Sequence, residues 1–139
     1  MRLHIAGAYW SYAEPRRLSC EGRPVDGLCI LEPSREILVR RGLARERREE
    51  TQLHELAHAS NFSSAEHWVQ VWSSGTARLL GMAGARTLRE PGPRRGADVI
   101  RAVLCETLRI GRHDLDDDEQ AQRWADEIAR ALIQLGWRA

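Results

Sequence analysis

Two histidines four residues apart with a glutamate between them, His54-Glu55-Leu56-Ala57-His58, are the residues of this chain best suited to do chemistry. On an α-helix, positions i and i+4 lie on one face a turn apart, so both imidazoles can ligate a single ion. Imidazole pairs at this spacing suit Zn2+, which lowers the pKa of a bound water to about 7 and polarises a carbonyl. Glu55, adjacent to the pair but not aligned with it, can reach that water and serve as general base. The chemistry implied is zinc-dependent hydrolysis, with His54 and His58 as metal ligands and Glu55 as the catalytic group.

A helix must carry that pattern, and the flanking sequence supplies one. From about residue 44 to 60 the chain reads as helical, with Arg45-Glu46-Arg47-Arg48-Glu49-Glu50 as a solvated, salt-bridging first part and Leu53, Leu56 and Ala57 as its buried stripe. Before it, Leu3 to Trp10 reads as a first strand. Leu28 to Leu31 and Glu36 to Arg40 then form a hairpin across Glu32-Pro33-Ser34-Arg35. After it, Ser64 is the expected N-cap of a second helix bearing Trp68, Val69, Val71, Trp72, Leu79 and Leu80. A loop from Gly81 to Gly96 follows, then a third helix from about Ala97 to Ile110 and a final one opened by the acidic run Asp114 to Glu119 and ended by Gly136. Strands first and helices afterwards predict an α+β fold: a small N-terminal antiparallel sheet or hairpin, then a helical core built on the His-Glu-x-x-His helix.

Composition narrows the function classes. A chain of 139 residues with 42% hydrophobic and 29% charged residues is the size and type of one ordinary globular domain. The net charge of +1 gives bulk electrostatics no hold on nucleic acid or an anionic membrane, although every basic side chain is an arginine. Cys20, Cys29 and Cys105 form no Cys-x-x-Cys pair, which argues against a thiolate zinc site and for reduced thiols. Leu3 to Trp10 is short and interrupted by His4, so it does not read as a signal peptide, and no apolar run reaches transmembrane length. The expectation is a soluble, cytoplasmic protein acting on a protein or peptide substrate, with no membrane partner and nucleic acid disfavoured.

Glu49 to Ala59, around the motif, resembles the active helix of minimal zincin-type metallopeptidases of phage and bacterial genomes, including ImmA/IrrE-like and SprT-like proteins. Arg35-Glu36-Ile37-Leu38-Val39 resembles the strand before that helix, and the tail from Asp118 to Trp137 resembles the final helix of the small members. The resemblance covers about half of the chain and implies a single zincin-like domain over residues 1–139, with 63–112 as a helical insert. It also implies a carboxylate as third zinc ligand.

Glu119 is the first choice for that ligand, because it matches the acidic start of the last family helix, and Asp118 stands one residue earlier. Both also suit helix capping. Glu106 competes from the apolar stretch Val103 to Leu108, where an unpaired carboxylate would be costly to bury; the alternative is a surface pair with Arg109. Glu66 and His67 are weaker candidates. The metzincin arrangement is disfavoured, since Asn61 and Ser64 stand where it needs Gly and His. Both tyrosines, Tyr9 and Tyr12, precede the motif, leaving His67, His113 and the arginines to stabilise an oxyanion. Core packing is the ordinary role for the five tryptophans. The competing expectation is a catalytically silent, zinc-stabilised protein-interaction module.

Overall fold

The apolar run from Leu3 to Trp10 is two strands, not one. β1 (Arg2–Ile5) turns through Ala6 and Gly7, both at positive φ (51° and 75°), into β2 (Ala8–Ala13), with Ile5 opposite Ala8. This two-residue left-handed turn matches the twist of an antiparallel hairpin, and glycine supplies its second position at no steric cost. The computed structural model describes residues 1–60, 65–84, 86–87, 97–111 and 118–138. Residues 86–87, 97–98, 109–111, 118–119 and 138 are described by their backbone alone.

A small ribbon, β3 (Ser19–Cys20) with β4 (Arg23–Pro24), precedes the expected hairpin of β5 (Gly27–Ile30) and β6 (Glu36–Val39). The sheet order is β1-β2-β6-β5. β6 lies between β2 and β5, parallel to the first and antiparallel to the second. The sheet is therefore mixed, which corrects the antiparallel expectation. The long excursion after β2 brings the chain back to pair in the same direction, a nonlocal choice that no local pattern encodes.

Strand alternation buries one face. Leu3, Ile5, Trp10, Tyr12, Ile37 and Val39 point into the core, while Arg2, His4, Tyr9 and Ser11 stay exposed. The buried face is covered by α1 (Arg45–Ser60), lying against β5 and β6, and by α4 (Asp118–Gln134), lying against β1. α2 (Glu66–Met82) packs on α1, and α3 (Ala97–Gly111) on α2 and α4. β7 (Arg86–Thr87) and β8 (Trp137–Arg138) form a last ribbon that ties the C-terminus back. The N-cap of α2 is Ala65, in extended conformation and with no side-chain cap, so Ser64 does not take that role. The architecture is α+β, with a one-sided mixed sheet and four helices among the described residues. No helix among the described residues is long and apolar enough to cross a membrane.

α1 is polar in composition yet deeply buried, and Gln52 reconciles the two. Fully buried, it donates from Nε2 to the Tyr12 hydroxyl (2.9 Å) and accepts from Trp137 Nε1 (2.8 Å). Three polar groups thus satisfy one another across β2, α1 and β8, removing most of the cost of burying each. Burial pushes the Tyr12 hydroxyl up to about 12, so it stays protonated. Arg48 adds a two-pronged bond from α1 to Glu14, just after β2 (2.7 and 2.8 Å). The charged start of α1 is thus a set of tertiary ties more than a solvated face, and Glu49 within it is buried. All three cysteines are free thiols.

Candidate metal centre

His54 and His58 occupy successive turns of α1, both half-buried, with their Nε2 atoms 3.2 Å apart. Facing them is Glu66 in the first turn of α2, whose Oε1 lies 2.8 Å from His54 Nε2 and Oε2 2.7 Å from His58 Nε2. Among the described residues this is the one group of three whose ligand atoms converge for a metal. Ligand atoms held about 2.0–2.1 Å from a tetrahedral zinc stand roughly 3.3 Å from one another. The two imidazole nitrogens, 3.2 Å apart, match that spacing. Glu66 completes the triangle of residues with a different oxygen towards each imidazole, at hydrogen-bond distance, and two imidazoles with a carboxylate is a donor set zinc accepts. Glu66 is 70% exposed, so the third corner of the triangle opens to solvent.

The third corner is where local geometry puts it. α1 ends at Ser60 and α2 begins at Glu66. A connection that short turns the second helix back along the first, setting the opening turn of α2 beside the closing turn of α1, where His58 stands. Glu66 was thus discoverable from helix ends, although the sequence ranks it below other carboxylates. Glu106 is exposed on α3 and stands outside the cluster. Asp118 and Glu119 open α4, with side chains outside the described residues, and His113 also lies outside them. His67 is exposed on α2 and does not join the group.

Glu55 is 6% exposed and lines a cleft of about 160 Å3 together with His54 and Glu66. Burial, with the Glu66 charge adding, pushes its carboxyl up to about 8 when no cation is nearby. A metal at the cluster opposes both causes and favours the carboxylate. The same burial lowers the His54 pKa, against the pull of Glu66, and so favours the neutral, ligating imidazole.

The cleft owes its shape to Gly27, which sequence inspection passes over. A Cβ there would stand 2.6 Å from Thr51 Cγ2 and 2.8 Å from Glu55 Oε1, so β5 approaches α1 this closely only with glycine. Beyond Gly27, β5 has no further strand partner among the described residues. The Arg40 amide donates to the Asp26 carbonyl (2.7 Å), and Gly27 is opposite Val39. Asp26, Leu28 and Ile30 therefore bond towards β6, while Gly27 and Cys29 turn their amides and carbonyls to the open edge.

The chain matches no protein-family model, no curated protein and no solved structure.

Proposed function

We propose that the protein is a zinc-dependent metallopeptidase in which His54, His58 and Glu66 hold the metal and Glu55 is the general base. The observation that carries this reading is the convergence of three zinc-type donors, His54, His58 and Glu66, at a cleft that His54 and Glu66 line together with a further carboxylate, Glu55. Zinc held there supplies an acidified water and a Lewis acid for the substrate carbonyl. Glu55 accepts the proton of the attacking water and returns it to the leaving amine. Its burial against Gly27 fixes its position and keeps bulk water from competing for the proton. The open edge of β5 offers the amides and carbonyls of Gly27 and Cys29 to an extended peptide, the backbone form that strand addition recognises. On this reading the chain is a member of the zincin-type group it resembles in sequence, with Glu66 in place of Glu119 as third ligand.

Replacing Glu55 by Gln tests the proposal: zinc is retained while peptide hydrolysis is lost. Unchanged hydrolysis in that variant would remove Glu55 from the mechanism. The second reading, a silent zinc-stabilised interaction module, is favoured by one observation. An apolar groove on α2 is lined by Trp68, Trp72 and the exposed Val71 and Leu79 (60% and 46%). Under that reading zinc removal unfolds the protein, and no peptide is cleaved by the wild type.

A further inference from the structure

The metal cleft is closed at one end. Arg47, seven residues before His54 on α1, donates from Nε to Asp26 Oδ2 (2.7 Å) at the foot of β5 and from Nη1 to Glu50 Oε1 (3.4 Å). The same Glu50 oxygen accepts from Gln70 Nε2 (3.1 Å) and Ser74 Oγ (2.8 Å) on α2. A continuous chain of side chains thus crosses from the sheet edge through α1 to α2. Asp26, Arg47, Glu50 and Gln70 all line the cleft with His54 and Glu55. Glu50 also lines the next, larger cavity of about 470 Å3 along the α1–α2 seam, so the crossing separates the two. The space left beside the cluster, about 160 Å3, is well under the roughly 300–1,000 Å3 of ordinary small-molecule sites. It suits one or two residues of a peptide between the cluster and the crossing.

The chemistry of the wall selects which end of a peptide meets it. Both oxygens of Asp26 are engaged, by Arg40 and by Arg47. Glu50 Oε1 already accepts three donors, leaving its other oxygen. Arg47 keeps Nη2 without a hydrogen bond among the described residues, and its side chain is 52% exposed against 24% for Glu50. The outward edge of a guanidinium, Nη1 beside Nη2, is the fork that a carboxylate fills. Asp26 and Glu50 hold this fork in place, which reduces the entropy lost on binding.

We infer that Arg47 binds the C-terminal carboxylate of the substrate, making the protein a carboxyl-end exopeptidase; this rests on the peptidase reading above. Hydrolysis breaks the C–N bond one or two residues from that end. The hydroxyl of water joins the acyl carbon and its proton the leaving amine, so a free amino acid or dipeptide departs from the closed side.

The test measures binding first, so that it does not depend on turnover. Zinc-loaded Glu55→Gln protein is titrated calorimetrically with acetyl-trialanine as the free acid, with its C-terminal amide, and with trialanine amide bearing a free amine. The inference expects the acid to bind roughly tenfold to a hundredfold tighter than its amide, the range of a charge-assisted hydrogen bond. In the Arg47→Gln form of the same protein the acid falls to the level of the amide, and Arg47→Lys restores only part. Asp26 keeps Arg40 and Glu50 keeps Gln70 and Ser74, so the wall's remaining ties survive these changes. Equal affinity for acid and amide overturns the inference, as does tighter binding of the free amine. A preference for the acid that survives Arg47→Gln belongs to the metal and overturns it equally. Wild-type protein then separates the two readings. Release of alanine or dialanine from the acid alone supports both. Equal cleavage of acid and amide overturns the exopeptidase and leaves the peptidase. Arg47-dependent binding with no cleavage overturns the peptidase and leaves the carboxylate site.

Discussion

Substituting Gly27 by Ala perturbs the site through a single methyl group. That methyl would sit 2.6 Å from Thr51 Cγ2, 2.8 Å from Glu55 Oε1 and 2.9 Å from Glu55 Cγ, all far inside van der Waals contact. Two ways of relieving the overlap exist. Either β5 lifts from α1, or the side chains of Thr51 and Glu55 rotate away from it. Overpacking of this kind costs about 1–3 kcal/mol. For a chain of 139 residues that corresponds to a fall of roughly 3–10 °C in Tm. Thr51→Ser in the same background removes the closest contact while keeping the Thr51 Oγ1 bond to the Arg47 carbonyl (2.7 Å). The double variant should therefore regain part of the lost stability. It should not regain hydrolysis, because the contacts to Glu55 remain. Thermal unfolding followed by circular dichroism reads the first effect, and peptide turnover with zinc content reads the second. A Gly27→Ala protein as stable and active as the wild type would refute the close strand-helix approach on which the placement of Glu55 rests.

Gln52→Leu strands a buried acceptor, the Tyr12 hydroxyl oxygen, and a buried donor, Trp137 Nε1, so it should cost about 2–5 kcal/mol in urea unfolding. A loss below about 1 kcal/mol would mean that water replaces the amide. In metal-free protein, Glu55 ionises near 8 when folded and near its ordinary carboxylate value when unfolded. The folded form then binds the extra proton between those values, so stability falls as pH rises from about 5 to 8 and levels off above. The Glu55→Gln protein should lack that slope in metal-free urea titrations, and identical slopes would exclude Glu55 as its source. Glu106→Ala removes an exposed carboxylate outside the cluster and should leave the zinc content of the purified protein unchanged.

The parts legible in the sequence are those fixed by neighbours along the chain. The Pro-Ser turn between two apolar segments marks the β5–β6 hairpin, and the periodicity around Leu53 and Leu56 marks α1, which together place His54, Glu55 and His58 on one helix. The parallel pairing of β2 with β6 joins Tyr12 to Ile37 across a long excursion, and nothing in either strand's own pattern announces it. The Ala6-Gly7 turn was hidden because apolar residues flank it closely enough to read as one strand. The third carboxylate divides in a related way. Family likeness favours Glu119, whose side chain lies outside the described residues, whereas the return of α2 onto the end of α1 brings Glu66 to both imidazoles. Gly27 and Arg47 were unremarkable as letters; their roles exist only once β5 lies against α1.

The most direct measurement is the zinc content, by elemental analysis, of the purified wild type beside Glu66→Ala and Glu119→Ala proteins. One zinc per chain is expected in the wild type and in Glu119→Ala, and its loss in Glu66→Ala. A folded wild type that takes up no zinc on reconstitution, or a Glu66→Ala protein that keeps it, would contradict the metal centre described here.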